Sequence, residues 1–192
     1  MRTRAAVLRQ VGLPHPYRES KPLVIEEVEL APPGRDEVLV RIRAAGLCHS
    51  DLSVINGDRP RPVPMAIGHE AAGEVMSVGS DVKGVRVGQR VVINPMMTPS
   101  YIGSGGPEGA FTEELLVRDA RVGDSLLPIP DDLPFEVAAL TEPLAVALHG
   151  VNRAQAKAGD KVVVFGCGPI GLGMVLWLVQ RPSLTRNQRH DH

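Results

Sequence analysis

Apolar and polar positions alternate through Glu37–Arg43: Val38, Val40 and Ile42 fall on one face, and Glu37, Leu39, Arg41 and Arg43 on the other. A period of two marks a strand half-buried against a core. Ala5–Leu8, Leu23–Glu29, Gly73–Val78, Arg90–Ile93 and Phe111–Val117 are further short strand candidates. Pro32-Pro33-Gly34 and the glycine-rich stretch Gly103–Gly109 punctuate them. Many short strands with turn signals between them predict an all-β barrel or sandwich.

The pattern changes near Asp131. Asp131-Asp132-Leu133-Pro134 offers cap residues and an early proline, a helix start. A second start follows at Glu142-Pro143, after which Leu144, Ala147, Leu148 and Val151 recur at helical spacing. Ala158-Gly159-Asp160 reads as a turn, and Lys161–Phe165 as a β-branched strand of the kind buried on both faces of a parallel sheet. Gly166-Cys167-Gly168-Pro169-Ile170-Gly171 leads into an apolar helix ending near Gln180. The expected organisation is a β domain over 1–150, one β-turn-α unit over 151–180, and a polar, disordered tail over 181–192.

Composition narrows the function classes. Hydrophobic residues make up 43% of the 192, enough for a packed core, and 21 basic against 22 acidic residues leave a formal charge of −1. That balance points to no nucleic-acid or membrane-surface partner. Met1–Gln10 lacks the apolar run of a signal peptide, and no stretch is long enough to span a bilayer. Cys48 and Cys167 are the only cysteines, which argues against a disulfide framework and for a reducing, cytoplasmic setting. Cys167 is expected to be a packed turn residue.

Three short motifs carry the candidate chemistry. Gly46-Leu47-Cys48-His49-Ser50-Asp51 comes first, then Gly68-His69-Glu70-Ala71-Ala72-Gly73 with its histidine 21 residues after Cys48, then Thr141-Glu142-Pro143-Leu144. Each alone is modest, because an isolated cysteine is more often buried and inert than a ligand. Taken in order with the glycine motif, they resemble the zinc-dependent medium-chain dehydrogenase/reductase family, over roughly residues 3–180. The resemblance implies a GroES-like β-barrel catalytic domain followed by a Rossmann nucleotide-binding domain, a mainly β chain with an α/β part.

By that resemblance Cys48 supplies a thiolate and His69 an imidazole to one catalytic zinc ion. The third ligand is Glu70 or Glu142, and sequence does not choose between them. Catalytic zinc keeps an open position for substrate. Asp51 is expected to accept the second ring N–H of His69 and fix its tautomer. The implied reaction is oxidation of an alcohol or polyol CH–OH with NAD or NADP as hydride acceptor. Ser50 takes the first proton. Ser53 stands where many members end the relay with histidine, so the proton is expected to leave by another route, such as water. His49 either flanks the metal loop or contacts the cofactor's phosphate. Gly166, Gly168, Pro169, Ile170 and Gly171 are placed against the pyrophosphate, where glycines permit a tight turn and close approach.

The chain departs from the family in three respects. Asn94–Gly109 contains no cysteine, so no structural zinc is expected. One βα unit follows the glycines where several are needed, and Asp191 has the spacing but not the context of the ribose-binding acid. The segment that completes the catalytic domain in relatives is missing. A truncated chain with impaired cofactor binding is therefore expected, and the unpaired strand and helix leave room for a homo-oligomer. The competing readings are a non-enzymatic zinc-binding GroES-like module or gene remnant, and a zinc-free quinone-reductase-like enzyme, which the Cys48/His69 pair disfavours.

Overall fold

The computed structural model describes residues 1–157 and 159–184. It divides after Leu140 into two compact units. In the first, β1 (Arg2–Leu8), β2 (Leu23–Glu29), β3 (Val38–Gly46), β4 (Met65–Ala66), β5 (Glu70–Val78), β6 (Arg90–Ile93), β7 (Glu114–Val117) and β8 (Leu126–Pro128) are joined by three short helices, α1 (Tyr17–Ser20), α2 (His49–Ile55) and α3 (Phe135–Ala138). They form two antiparallel sheets, of order β2-β1-β4 and β7-β3-β5-β6-β8.

Residues 107–113 join the sheets. Ala6 donates to Phe111 O (2.8 Å) and Glu113 to Arg4 O (3.0 Å) on one side, while Ile42 donates to Glu113 O (2.9 Å) on the other. The expected strand Phe111–Val117 is therefore regular only from Glu114, because its first three residues share their backbone groups between β1 and β3.

The alternation in β3 places Val38 and Val40 in the main core, with Val75, Val91, Ile93, Leu115 and Leu126. Leu39 is buried as well, so the strand is covered on both faces at its start and half-buried only from Arg41. A second cluster of Leu8, Val54, Ile55, Met65 and Ile67 packs beneath α2. On the outer face Ala138 and Ala139 press α3 against Ala72 and Val92. Arg90 fixes this corner by donating to Leu133 O (2.5 Å) and stacking over the Phe135 ring at 4.0 Å.

The second unit contains α4 (Thr141–Ala154) and α5 (Pro169–Leu184). Glycines bring the two helices close: a Cβ on Gly173 would lie 2.9 Å from that of Ala147, and one on Gly150 would lie 2.4 Å from the Met174 methyl. The Trp177 indole donates to Leu144 O at 2.8 Å.

Lys161–Phe165 differs from expectation. It joins no sheet among the described residues, and Val163 and Phe165 are 74% and 95% exposed. A continuous apolar run is buried on both faces only when neighbouring strands and covering helices exist, and no neighbouring strand is described beside it. The apolar helix also passes Gln180 and runs to Leu184, so residues 181–184 of the expected tail are helical. The rest of that tail, 185–192, lies outside the described residues.

Candidate metal centre

The first motif opens a helix instead of forming the loop its sequence suggests. Cys48 is the extended N-cap residue of α2, and its sulfur accepts from the backbone N–H of Asp51. Asp51 closes the reciprocal half of the capping box, its Oδ2 accepting from Cys48 N at 3.0 Å. This pairing satisfies two of the donors that a helix start leaves free. Val54 and Ile55 turn the other side of α2 into the apolar cluster below, which fixes the helix and the direction of the Cys48 side chain.

The Asp51 carboxylate is 1% exposed and connects the two motifs. Its Oδ1 accepts from Gly68 N at 3.3 Å and lies 3.2 Å from His69 Nδ1. That last approach falls outside good hydrogen-bond angles, leaving the buried Nδ1 without a formal partner. The Asp51 carboxylate still dominates the ring's protonation. It raises the His69 pKa to about 9, outweighing burial, with Cys48 adding in the same direction. On the opposite side of the ring, Nε2 lies 3.4 Å from Ser50 Oγ.

Glu70 is the first residue of β5 and stands directly across from Gly46, the last of β3. It is buried, and burial is the main reason its carboxyl pKa is raised; His69 and Cys48 work against the shift. One ligand atom each from Cys48, His69 and Glu70 lie within 4.8 Å of one another. Four-coordinate zinc with bonds of 2.0–2.3 Å sets its ligands about 3.5 Å apart. The cluster therefore needs only small side-chain adjustments to close on an ion. A thiolate, an imidazole and a carboxylate form a donor set suited to zinc.

The other expected residues belong to the following elements. Glu142 lies in the first turn of α4, in the second unit. His49 is exposed at the first helical position of α2, with its carbonyl accepting from Ser53 Oγ at 3.2 Å. In the second unit Gly166 has φ +106°, and a Cβ on Gly171 would lie 2.0 Å from Gly166 O. The turn thus folds back on itself just before Pro169 and Ile170 open α5, and only glycine fits at either end. Cys167, expected to be packed, is exposed in that turn.

Gly46 and Gly68 open the first two motifs, and spacing alone gives no reason for glycine at either position. Gly68 has φ +93°, and a Cβ there would lie 2.6 Å from the Phe111 ring. Phe111, whose backbone is part of the segment joining the sheets, thus sits against the chain one residue before His69. No sequence spacing pairs Phe111 with Gly68. Among the described residues no helix is long and apolar enough to cross a membrane.

An antiparallel β domain thus brings together cysteine, histidine and glutamate that could hold a metal ion, from a helix cap and the start of a strand. The family described as alcohol dehydrogenase GroES-like domain matches residues 34–131. The chain belongs to this zinc-type alcohol dehydrogenase family. It is 35% identical to (R,R)-butanediol dehydrogenase of Bacillus subtilis (strain 168), over 81% of this chain and 51% of that enzyme. Sorbitol dehydrogenase of the same organism is 32% identical, over 82% of this chain and 49% of its own. A short chain alcohol dehydrogenase from E. coli CFT073, solved with the cofactor NADH, superposes with a TM-score of 0.77 at 26% identity, covering 95% of this chain and 55% of that one. The chain spans about half the length of the curated relatives it matches.

Proposed function

We propose that this chain carries the zinc site of a dehydrogenase acting on an alcohol or polyol CH–OH group with NAD or NADP as hydride acceptor. The observation behind this is the convergence of Cys48, His69 and Glu70 within 4.8 Å, backed by the buried Asp51. Cys48 Sγ, His69 Nε2 and a Glu70 oxygen would hold the zinc, leaving room for the substrate oxygen. Zinc held there supplies Lewis acidity toward an alcohol oxygen. Asp51 keeps the proton of His69 on Nδ1, which turns Nε2 toward the ligand cluster. Ser50, 3.4 Å from that nitrogen, receives the hydroxyl proton of the substrate. Ser53 Oγ is committed to His49 O, which supports an onward route through water.

The turn Gly166–Gly171 and the start of α5 would hold the hydride acceptor, with backbone N–H groups available to its pyrophosphate. No strand pairs with Lys161–Phe165 among the described residues, and the second reading is a zinc-binding module without the nicotinamide cofactor. Two measurements separate the readings. Metal analysis should find about one zinc per chain, lost in Cys48→Ser, and an empty wild-type protein would remove the site altogether. Titration with NAD⁺ and NADP⁺ decides the rest: micromolar binding supports the dehydrogenase, and none supports the zinc-binding module.

A further inference from the structure

The end of β3 and the start of β5 pair so that Gly46 directly faces Glu70. The Glu70 side chain lies over the bare backbone of Gly46. A Cβ at that position would fall 1.9 Å from Glu70 Oε2 and 3.0 Å from its carboxyl carbon. A 1.9 Å approach is far inside any non-bonded contact, so the carboxylate could not stay where it is. It would have to rotate away from Cys48 and His69. Gly46 is not among the residues with positive φ, so its conformation does not itself demand glycine. What the position requires is space, and the group filling that space is one of the three candidate ligands.

We infer that Gly46 is a positioning residue: its missing side chain forms the seat that holds the Glu70 carboxylate beside Cys48 and His69. This rests on the zinc-site reading above and adds a reason for glycine two residues before the cysteine. The two motifs are then parts of one device, with the strand that leads into Cys48 also shaping the approach of Glu70. Any side chain at 46 would leave the thiolate and imidazole in place and remove the carboxylate.

A double-mutant cycle tests this, with zinc affinity measured by chelator competition and folding by circular dichroism. Gly46→Ala should weaken zinc binding at least about 10-fold, the lower end for loss of a group that orients a ligand. Glu70→Ala should weaken it by a similar factor, and the double variant should be no worse than Glu70→Ala alone. With cobalt as the probe metal, the thiolate-to-metal absorption should persist in Gly46→Ala while the visible ligand-field bands change as they do in Glu70→Ala. If Gly46→Ala fails to fold, the double variant should fold again, because truncating Glu70 removes the 1.9 Å clash; the remaining 3.1 Å contact with the Glu70 Cβ asks for a shift of only tenths of an ångström. Wild-type affinity in Gly46→Ala, independent losses that multiply in the double variant, or a double variant that still fails to fold would each overturn the inference. A wild-type protein without zinc would be recognised before any variant is made, and would defeat the site itself rather than the role of Gly46 alone.

Discussion

Four side chains decide the behaviour of the site, and Asp51 has the widest reach. It accepts from Cys48 N and Gly68 N and sits beside His69 Nδ1, so it joins two motifs that are 17 residues apart at Asp51 and Gly68. Asp51→Asn keeps the shape but removes the charge, and is expected to lower zinc affinity by about 10- to 100-fold, measured by chelator competition. The same carboxylate sets a pH dependence in the metal-free protein. Its presence raises the His69 pKa from the ordinary 6.5 to about 9. A raised pKa stabilises the fold fully below the unfolded value and is lost as pH climbs through the folded one. Glu70, also raised, contributes with the same sign from its ordinary 4.5 upward. In chelator, the melting temperature should therefore fall between pH 6.5 and 9, with a flatter profile in Asp51→Asn. Zinc affinity should rise across that window, because the metal displaces a proton from His69. A zinc affinity that is level over the same range would contradict the assignment of His69 as a ligand.

At the scale of elements, legibility followed how local the cause was. The strand around Val38, Val40 and Ile42 was readable because alternation needs only the next residue, and α4 because its apolar positions repeat every turn. The helix α2 was not, since its cap is a cysteine, outside the residues that usually announce a helix start. β4 and β8 are two and three residues long and exist only because β1 and β6 lie beside them. The ligand residues were visible through motif resemblance, but their seats were not. Gly68 illustrates this: its φ of +93° and the Phe111 ring at 2.6 Å from a Cβ both exclude a side chain. Gly68→Ala should destabilise the first unit by about 1–3 kcal/mol from backbone strain alone, seen as a lower urea midpoint. Phe111→Leu in the same background should recover part of the loss by easing the ring contact. Equal stability of the single variant and wild type would mean that this turn relaxes freely.

At the scale of the whole molecule, the two units differ in how completely they bury what they carry. The first encloses Val38, Val40, Leu115 and Leu126 almost fully, while the second leaves Val163, Phe165, Leu172 and Val179 between 60% and 95% exposed. The Lys161–Phe165 run departs from expectation for this reason: its composition describes the surroundings such a strand needs, and composition cannot supply the neighbouring strands. Exposed apolar residues contribute little to folding stability and much to self-association. Val163→Lys together with Phe165→Ser should therefore raise solubility and reduce light scattering at high concentration. The melting temperature and zinc content should stay unchanged, because neither side chain belongs to a core cluster or to the ligand set. A drop in melting temperature of several degrees in this double variant would show that the segment is buried against a partner in solution, and the association of copies would then be read directly from sedimentation of the wild-type and variant chains.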